Sequence, residues 1–258
     1  MKGKTRKLVI ILLACVFIAS AGMIIYLQAQ YRLGQETYDQ AQTLSGAPAA
    51  QESAAPSAAA EETPYADSLR GLDLSKLRQV NGDVLGWIII PGTNISYPLV
   101  YSSQKSPTYY LSHTWDAEYG YVGSIFLEPE NSPDFSDFNT VIYGHNMRNG
   151  SMFGTLRYYM KADWLAAHPD IYIITDKGAA KYEVFAAYEV STKGLTYQIG
   201  FASDQEKQTY IDFCTSHSAV NSGVTPGTGE GIITLSTCTG NGHVNRWVVQ
   251  AVCRDKTD

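Results

Sequence analysis

Residues 231–238 read GIITLSTC, a run of apolar and β-branched residues that ends on Cys238. Within this run, residues 231–236 are typical of a buried strand, and Cys238 lies at its end. Seven further stretches are rich in Val, Ile, Tyr and Trp and are bounded by Gly, Pro, Asn or Asp, namely 86–90, 95–100, 123–127, 140–143, 171–175, 180–190 and 246–252. Eight strands in one small domain predict a mainly β fold, a closed or nearly closed barrel without exposed sheet edges.

Three helices are expected beside the strands. Their ranges are 73–81, 151–159 and 204–216. The first has Asp73 at its predicted N-cap, followed by aliphatic residues on one face. The third is preceded by Ser203, with Glu206 three residues later, which is a capping-box pattern.

The N-terminal segment is predicted to cross a membrane. Residues 8–27 carry no charged side chain, and roughly 20 apolar residues are what a helix needs to span a bilayer. Four basic residues lie within residues 1–7, so the positive-inside rule places that end in the cytoplasm and the rest outside, as in a single-pass membrane protein. The alternative is a cleaved signal peptide, because Ala19-Ser20-Ala21 is an A-x-A pattern. The apolar residues that continue from 22 to 27 favour a retained signal-anchor.

A flexible extracellular linker is expected over residues 28–64. Within it, residues 41–64 contain nine Ala, three Pro and one large aliphatic residue, Leu44, so they cannot bury a hydrophobic core. Aromatic and aliphatic residues return from Tyr65 onward. Residues 65–258 are therefore predicted to form one folded domain.

Charge and cysteine content exclude several classes of function. The net charge of −6 argues against nucleic-acid binding, because such binding depends on Lys and Arg that neutralise phosphates. The four cysteines form no CxxC motif or Cys/His ligand cluster, which argues against a zinc site and a disulfide framework. We expect no metal and no cofactor.

Three residues at strand ends could carry nucleophilic chemistry. Cys238 ends the quoted strand, where rigid folds expose reactive groups, whereas Cys214 and Cys253 fit the alternative of a small buried side chain. His145 follows another predicted strand and is either a proton-transfer group or a solvated turn residue. Arg246 begins the last strand and could hold a developing oxyanion near the thiol, although an arginine at a strand start can also be an ordinary surface residue.

Three blocks of sequence resemble the His, TLxTC and Arg motifs of sortases, the cysteine transpeptidases of Gram-positive surfaces. They are YGHN at 143–146, TLSTC at 234–238 and RWVV at 246–249. The chain is most similar to the class B branch, from about Leu72 to Val252. The resemblance implies an eight-stranded sortase β-barrel with an N-terminal helix and a helix in the β6/β7 connection, which the predicted helix at 204–216 fits.

The resemblance also implies roles for individual residues. Cys238 would be the nucleophile, His145 the proton donor and acceptor, and Arg246 the group that stabilises the substrate and the tetrahedral intermediate. Ser236, Asn146 and Tyr143 would support them. Some relatives carry an acidic residue directly after the cysteine, whereas this chain has Thr239, so any contribution of such a carboxylate should be absent.

By the same resemblance, the enzyme would cleave a C-terminal sorting signal of secreted proteins after Thr. A thioacyl intermediate would then pass to an amine of a peptidoglycan precursor or of a pilin lysine. The alternating Leu195, Tyr197 and Ile199 are expected to line the wall that binds the sorting signal, or else to form an ordinary barrel strand. Two other functions stay open, an envelope cysteine protease or amidase that releases its product to water, and an anchored binding module without catalysis.

Overall fold

The computed structural model describes residues 2–48, 69, 71–240 and 244–257. The helices are α1 (Lys2–Ser45), α2 (Ser75–Val80), α3 (Ala162–Ala167) and α4 (Asp204–His217), with 3₁₀ turns at Tyr109–Leu111, Leu156–Met160 and Leu195–Tyr197. The strands are β1 (Val84–Ile89), β2 (Ser96–Val100), β3 (Ile125–Leu127), β4 (Asn139–Tyr143), β5 (Asp170–Thr175), β6 (Gly178–Ser191), β7 (Ile232–Cys238) and β8 (Asn245–Thr257).

The eight strands form a closed barrel in the order β1-β2-β3-β4-β7-β8-β6-β5, which confirms the predicted fold class. The pairs β2–β3 and β4–β7 are parallel, and the other pairs are antiparallel. Because β4 and β7 run side by side in one direction, the ends of both strands lie at the same end of the barrel. The start of β8, which is antiparallel to β7, lies there too.

Buried aliphatic residues fix the register at the centre of this arrangement. Val141 and Ile142 of β4 and Leu235 of β7 are fully buried, as expected for strands that are covered on both faces. A slip of one residue would reverse the faces to which all side chains of a strand point. The register therefore determines which residues reach the barrel end.

The helices differ in detail from those expected. The first is shorter, and its N-cap is Leu74, although the Asp73 carboxylate accepts a hydrogen bond from the Ser75 backbone N–H at 3.0 Å. The region 151–159 is not an α-helix, because Met152 has a φ of 53° and residues 156–159 belong to the 3₁₀ turn Leu156–Met160. Helix α4 begins as predicted, with Ser203 accepting from the Glu206 N–H.

Helix α1 continues well beyond the expected membrane segment. The sequence predicts a flexible linker from residue 28, but the helix runs to Ser45 and packs on the barrel, with Tyr38 and Ala41 buried. The Trp115 indole N–H donates to the Thr37 carbonyl at 3.0 Å. Residues 49–64 of the expected linker lie outside the described residues. Helix α1 is also long and apolar enough to cross a membrane.

Candidate active site

The ends of β4 and β7 are held together by three backbone and side-chain contacts. Tyr143 and Ser236 are register partners. Beyond them, the Gly144 N–H donates to the Ser236 carbonyl at 3.2 Å, and the Thr237 hydroxyl donates to the Gly144 carbonyl at 2.7 Å. These contacts place the turn after β4 directly beside the last residue of β7.

Cys238 is that last residue, and it is half-buried. Its register partner across the antiparallel pair is Arg246 of β8, as expected from the short loop between the two strands. The Asn146 side-chain amide donates to the Cys238 carbonyl at 2.7 Å, and thereby ties the turn after β4 to the cysteine backbone. The Arg246 guanidinium donates to the carbonyl of Asn245 at 3.1 Å.

The His145 ring is oriented by a backbone carbonyl from a different part of the chain. Its Nε2 lies 2.7 Å from the Leu111 oxygen, so Nε2–H can donate there and Nδ1 is left for other chemistry. Gly123 lies against the ring with a φ of +57°. A Cβ at Gly123 would lie 3.0 Å from His145 Cδ2 and 2.7 Å from the Leu111 oxygen, so only glycine fits this position.

A cavity of about 720 Å³ brings these residues together. Cys238, His145 and Arg246 all line it, as do Ser236, Asn146 and Tyr143. The remaining lining residues are Pro107, Thr108, Leu111, Phe126, Glu128, Gly144, Thr192, Tyr197, Thr237 and Gly240. A cavity of this size, mainly apolar and with a few convergent polar groups, is suited to a short peptide segment.

Two stacked tyrosines form part of the cavity wall. The rings of Tyr143 and Tyr197 lie 6.4 Å apart at 20°, and their hydroxyls bond to Glu128 and Ser236, both at 2.9 Å. Burial raises the pKa of both phenols, and the negative charge of Glu128 raises that of Tyr143 further, whereas Arg246 acts in the opposite direction. Both hydroxyls therefore stay protonated at neutral pH and can donate hydrogen bonds.

The segment that carries Tyr197 is fastened to the barrel by buried polar groups. The Asn139 side-chain amide donates to the carbonyls of Thr196 and Gln198, at 3.1 and 2.9 Å. The Tyr210 hydroxyl donates to the same Thr196 carbonyl at 3.0 Å. Because both neighbours of Tyr197 are held in this way, its ring has a fixed position in the wall.

Of the three residues expected to contact the sorting signal, the structure brings only Tyr197 to the cavity. Residues 195–197 form a 3₁₀ turn rather than an extended strand, so alternate side chains do not share one face. Leu195 is exposed, and neither it nor Ile199 is among the residues that line the cavity.

Leu111, Gly123 and Glu128 were not predicted to belong to the site. Each lies in a loop or at a strand end that is distant in sequence from the cysteine motif. The one local signal is Gly123, the first residue of the predicted strand 123–127, because a glycine in a strand often marks a close backbone approach.

No group of three metal-binding side chains occurs in the part of the chain that the structure describes. The four cysteines, all within that part, form no disulfide. Cys238 shares the cavity with a histidine and an arginine, an arrangement that can form and break a thioester.

Helix α1 supports this site through one buried hydrogen bond. The Tyr38 hydroxyl donates to the carbonyl of Gly123, the residue that packs against the His145 ring. Tyr38→Phe should destabilise the full chain by about 1–2 kcal/mol, because it leaves a buried acceptor unsatisfied. The thermal midpoint in detergent should fall by ~2–8 °C. Tyr31→Phe, at a half-buried tyrosine on the same helix, is the matched control and should change the midpoint little. Equal midpoints for the two variants would show that this contact does not stabilise the site.

Comparison with known proteins identifies the family. The family model for the sortase domain matches residues 88–254. Sortase B of Listeria monocytogenes is 39% identical over 168 residues, which cover 64% of this chain and 67% of the relative.

Two solved structures are also similar. The Staphylococcus aureus sortase B–substrate complex has a TM-score of 0.66 at 30% identity and covers 75% of this chain and 87% of its own. A sortase B complexed with Gly3 has a TM-score of 0.67 at 30% identity, with 72% and 86% covered. With the family model across most of the chain and these class B relatives, the chain belongs to the sortases, which are cysteine transpeptidases, and within them to class B.

Proposed function

We propose that this chain is a membrane-anchored transpeptidase that cleaves a C-terminal sorting signal of secreted proteins after Thr. It then transfers the acyl group to an amine of peptidoglycan or of a pilin lysine. The observation that carries the proposal is that Cys238, His145 and Arg246 line the same cavity. A sortase B–substrate complex and a sortase B–Gly3 complex, both similar to this chain, support the two substrate classes.

The first half-reaction forms a thioester. The Cys238 thiolate attacks the carbonyl carbon of the substrate Thr, and the resulting tetrahedral intermediate collapses by breaking the peptide C–N bond. The leaving amine takes a proton from the His145 imidazolium. In the second half-reaction the incoming amine attacks the thioester, and His145 accepts a proton as the new amide bond forms and the thiolate leaves.

Arg246 is proposed to stabilise the negative oxygen of both tetrahedral intermediates. Its guanidinium is a permanent cation with a rigid set of donors, and its register position opposite Cys238 supports this role. Asn146 and Ser236 have positioning roles, because Asn146 holds the Cys238 backbone and Ser236 holds the Tyr197 ring. The Tyr143 hydroxyl completes the wall through its bond to Glu128.

We further propose that residues 8–27 anchor the chain, with residues 1–7 in the cytoplasm and the barrel outside. The basic residues before the apolar run support this orientation by the positive-inside rule. The catalytic domain proposed for residues 65–258 would work together with the packed part of α1, since residues 31–45 lie against the barrel.

The proposal is tested by offering an amine to the acyl-enzyme. The full chain in detergent is incubated with a library of peptides that contain a central Thr, with and without triglycine or diaminopimelate, and products are identified by mass. Cleavage after Thr should yield an amide adduct whenever the amine is present. Cleavage that yields only the free acid with either amine would indicate a protease or amidase, and an absence of cleavage throughout would indicate a binding module.

A further inference from the structure

Helix α1 begins to contact the barrel about one helical turn after the apolar run ends. Side chains of residues 8–20 and 22–26 are exposed along the helix, and none of the most apolar window is buried. Among the described residues, contact with the barrel starts at the half-buried Tyr31, whose ring meets Tyr121, and continues with the buried Gly34 and Tyr38. The edge of the barrel that faces the apolar run therefore lies close to the proposed membrane surface.

The loop 117–121 forms that edge and is held tightly against the helix. The Tyr121 ring meets the Tyr31 ring edge-on, with centroids 6.0 Å apart. Next to it, Val122 packs so closely on Gly34 that a Cβ there would lie 2.7 Å from the valine methyl groups. The height of the loop is thus fixed relative to the helix.

The loop is also rigid in itself. The Thr114 N–H donates to the Glu118 carbonyl at 2.8 Å, and the Gly120 N–H donates to the Ser112 carbonyl at 3.0 Å. A β-bridge joins His113 to Tyr119. The tip therefore presents its side chains in one arrangement instead of sampling many.

The tip presents two tyrosines to solvent. Tyr119 is 78% exposed and Tyr121 is 49% exposed. Such exposure is unusual for large aromatic side chains on a rigid loop. Tyrosine has an apolar ring and a polar hydroxyl, and it concentrates at membrane–water interfaces for that reason.

The helix supplies a length scale for the position of these rings. Tyr31 lies four residues past Leu27, which is ~6 Å along a helix axis. The polar headgroup layer on each side of the hydrocarbon core is about 5–8 Å thick. We infer that the loop 117–121 rests in the headgroup layer, with Tyr119 and Tyr121 as interfacial side chains. This inference rests on the proposed membrane anchoring.

The charges near the loop indicate what kind of lipid contact this is. Asp116 and Glu118 are acidic, and Arg32 on the adjacent face of α1 is basic. Two acidic groups against one basic group give no attraction to anionic lipid. The contact is therefore aromatic, and it should form on neutral phosphatidylcholine as well as on anionic vesicles.

The test measures the depth of a tryptophan placed at the loop. Full-length Tyr119→Trp and Tyr121→Trp variants are reconstituted in phosphatidylcholine vesicles with and without lipid brominated near the headgroup end of the acyl chain. The signal of the four native tryptophans, measured in the parent chain, is subtracted. The added fluorescence of both variants should fall by about two-fold or more in brominated lipid, because bromine quenches indoles at the interface.

Two control variants make the result decisive. Gln208→Trp lies on α4, which packs over β6, β7 and β8 on the far side of the barrel from β2 and α1. Phe17→Trp lies at the middle of the apolar run, about 15 Å from either end, so it is measured in vesicles whose lipid is brominated near the methyl end of the acyl chain. Quenching at position 17 without more quenching at 119 and 121 than at 208 would overturn the inference while leaving the anchor intact. An unquenched position 17 would overturn both. The amide-transfer assay is independent of either outcome, so failure of the proposed chemistry is seen separately.

Discussion

The Cys238→Ala variant is expected to lose peptide cleavage and transfer by at least about 10³-fold, the scale seen when a covalent nucleophile is removed. Alanine keeps the β7–β8 pairing, because the backbone of residue 238 makes the contacts to Asn146 and to Arg246. The fold should therefore remain, while the sulfur that carries the acyl group is gone. Single-turnover cleavage of a sorting peptide by the full chain measures the effect.

Cys253→Ala is the matched control for this prediction. Cys253 is a half-buried thiol on β8, seven residues from Arg246 and so roughly 23 Å along the strand. Its replacement should leave cleavage within about two-fold of the parent, because Cys253 does not line the cavity and makes no contact with the proposed catalytic residues that would change the chemistry. Retained cleavage by Cys238→Ala, with or without an effect of Cys253→Ala, would refute the assigned nucleophile.

The His145→Ala variant is expected to lower the transfer rate by about 10²–10⁴-fold, the usual contribution of a positioned acid–base group. In the first half-reaction a proton is delivered to the nitrogen of the leaving amine. In the second, a proton is removed from the nitrogen of the attacking amine. The hydrogen bond from His145 Nε2–H to the Leu111 carbonyl fixes the imidazole ring and leaves Nδ1 for the proton transfer. The rate is measured with a saturating amine.

His217→Gln provides the comparison, since His217 is exposed in the last turn of α4 and does not line the cavity. It should retain the parent rate. Thermal midpoints of the two variants should stay close to that of the parent, so that a lost rate reports chemistry and not unfolding. A His145→Ala rate within about three-fold of the parent would contradict general acid–base catalysis by this residue.

Most of the barrel could be predicted from local sequence. All eight predicted stretches correspond to strands, because β-branched and aromatic runs between turn residues are a local signal. The parallel pairing of β4 with β7 could not be predicted in this way. It joins residues that are more than 90 positions apart, and no local pattern encodes which strand lies next to which.

The largest difference between the prediction and the structure lies in residues 28–45, which form a packed helix and not a flexible linker. Residues 28–45 contain few large aliphatic side chains, so composition alone indicated a flexible segment. Their helix is instead stabilised by tertiary contacts at Tyr31, Gly34 and Tyr38, spaced three and four residues apart. That spacing is a helical signal that a count of apolar residues does not detect.

In the candidate site, too, some residues could be predicted from the neighbouring sequence, whereas others are placed by contacts between distant parts of the chain. Cys238, His145 and Arg246 could be proposed because each stands at a predicted strand end with a polar turn beside it. Leu111 and Glu128 reach the cavity from a loop and from the end of β3. Their positions depend on the barrel closing. Tyr197 reaches the cavity from a 3₁₀ turn, where an alternating pattern indicated a strand.

The central claim is that Cys238 carries the acyl group between the two substrates. The most direct measurement is the intact mass of the full chain after mixing with a cleavable sorting peptide, followed by digestion to locate the added mass. The prediction is a thioester of the peptide segment ending in Thr, on Cys238, which disappears as an amide product forms on addition of triglycine. An adduct on another residue, or turnover with amide formation and no adduct at Cys238 under acid quench, would contradict it.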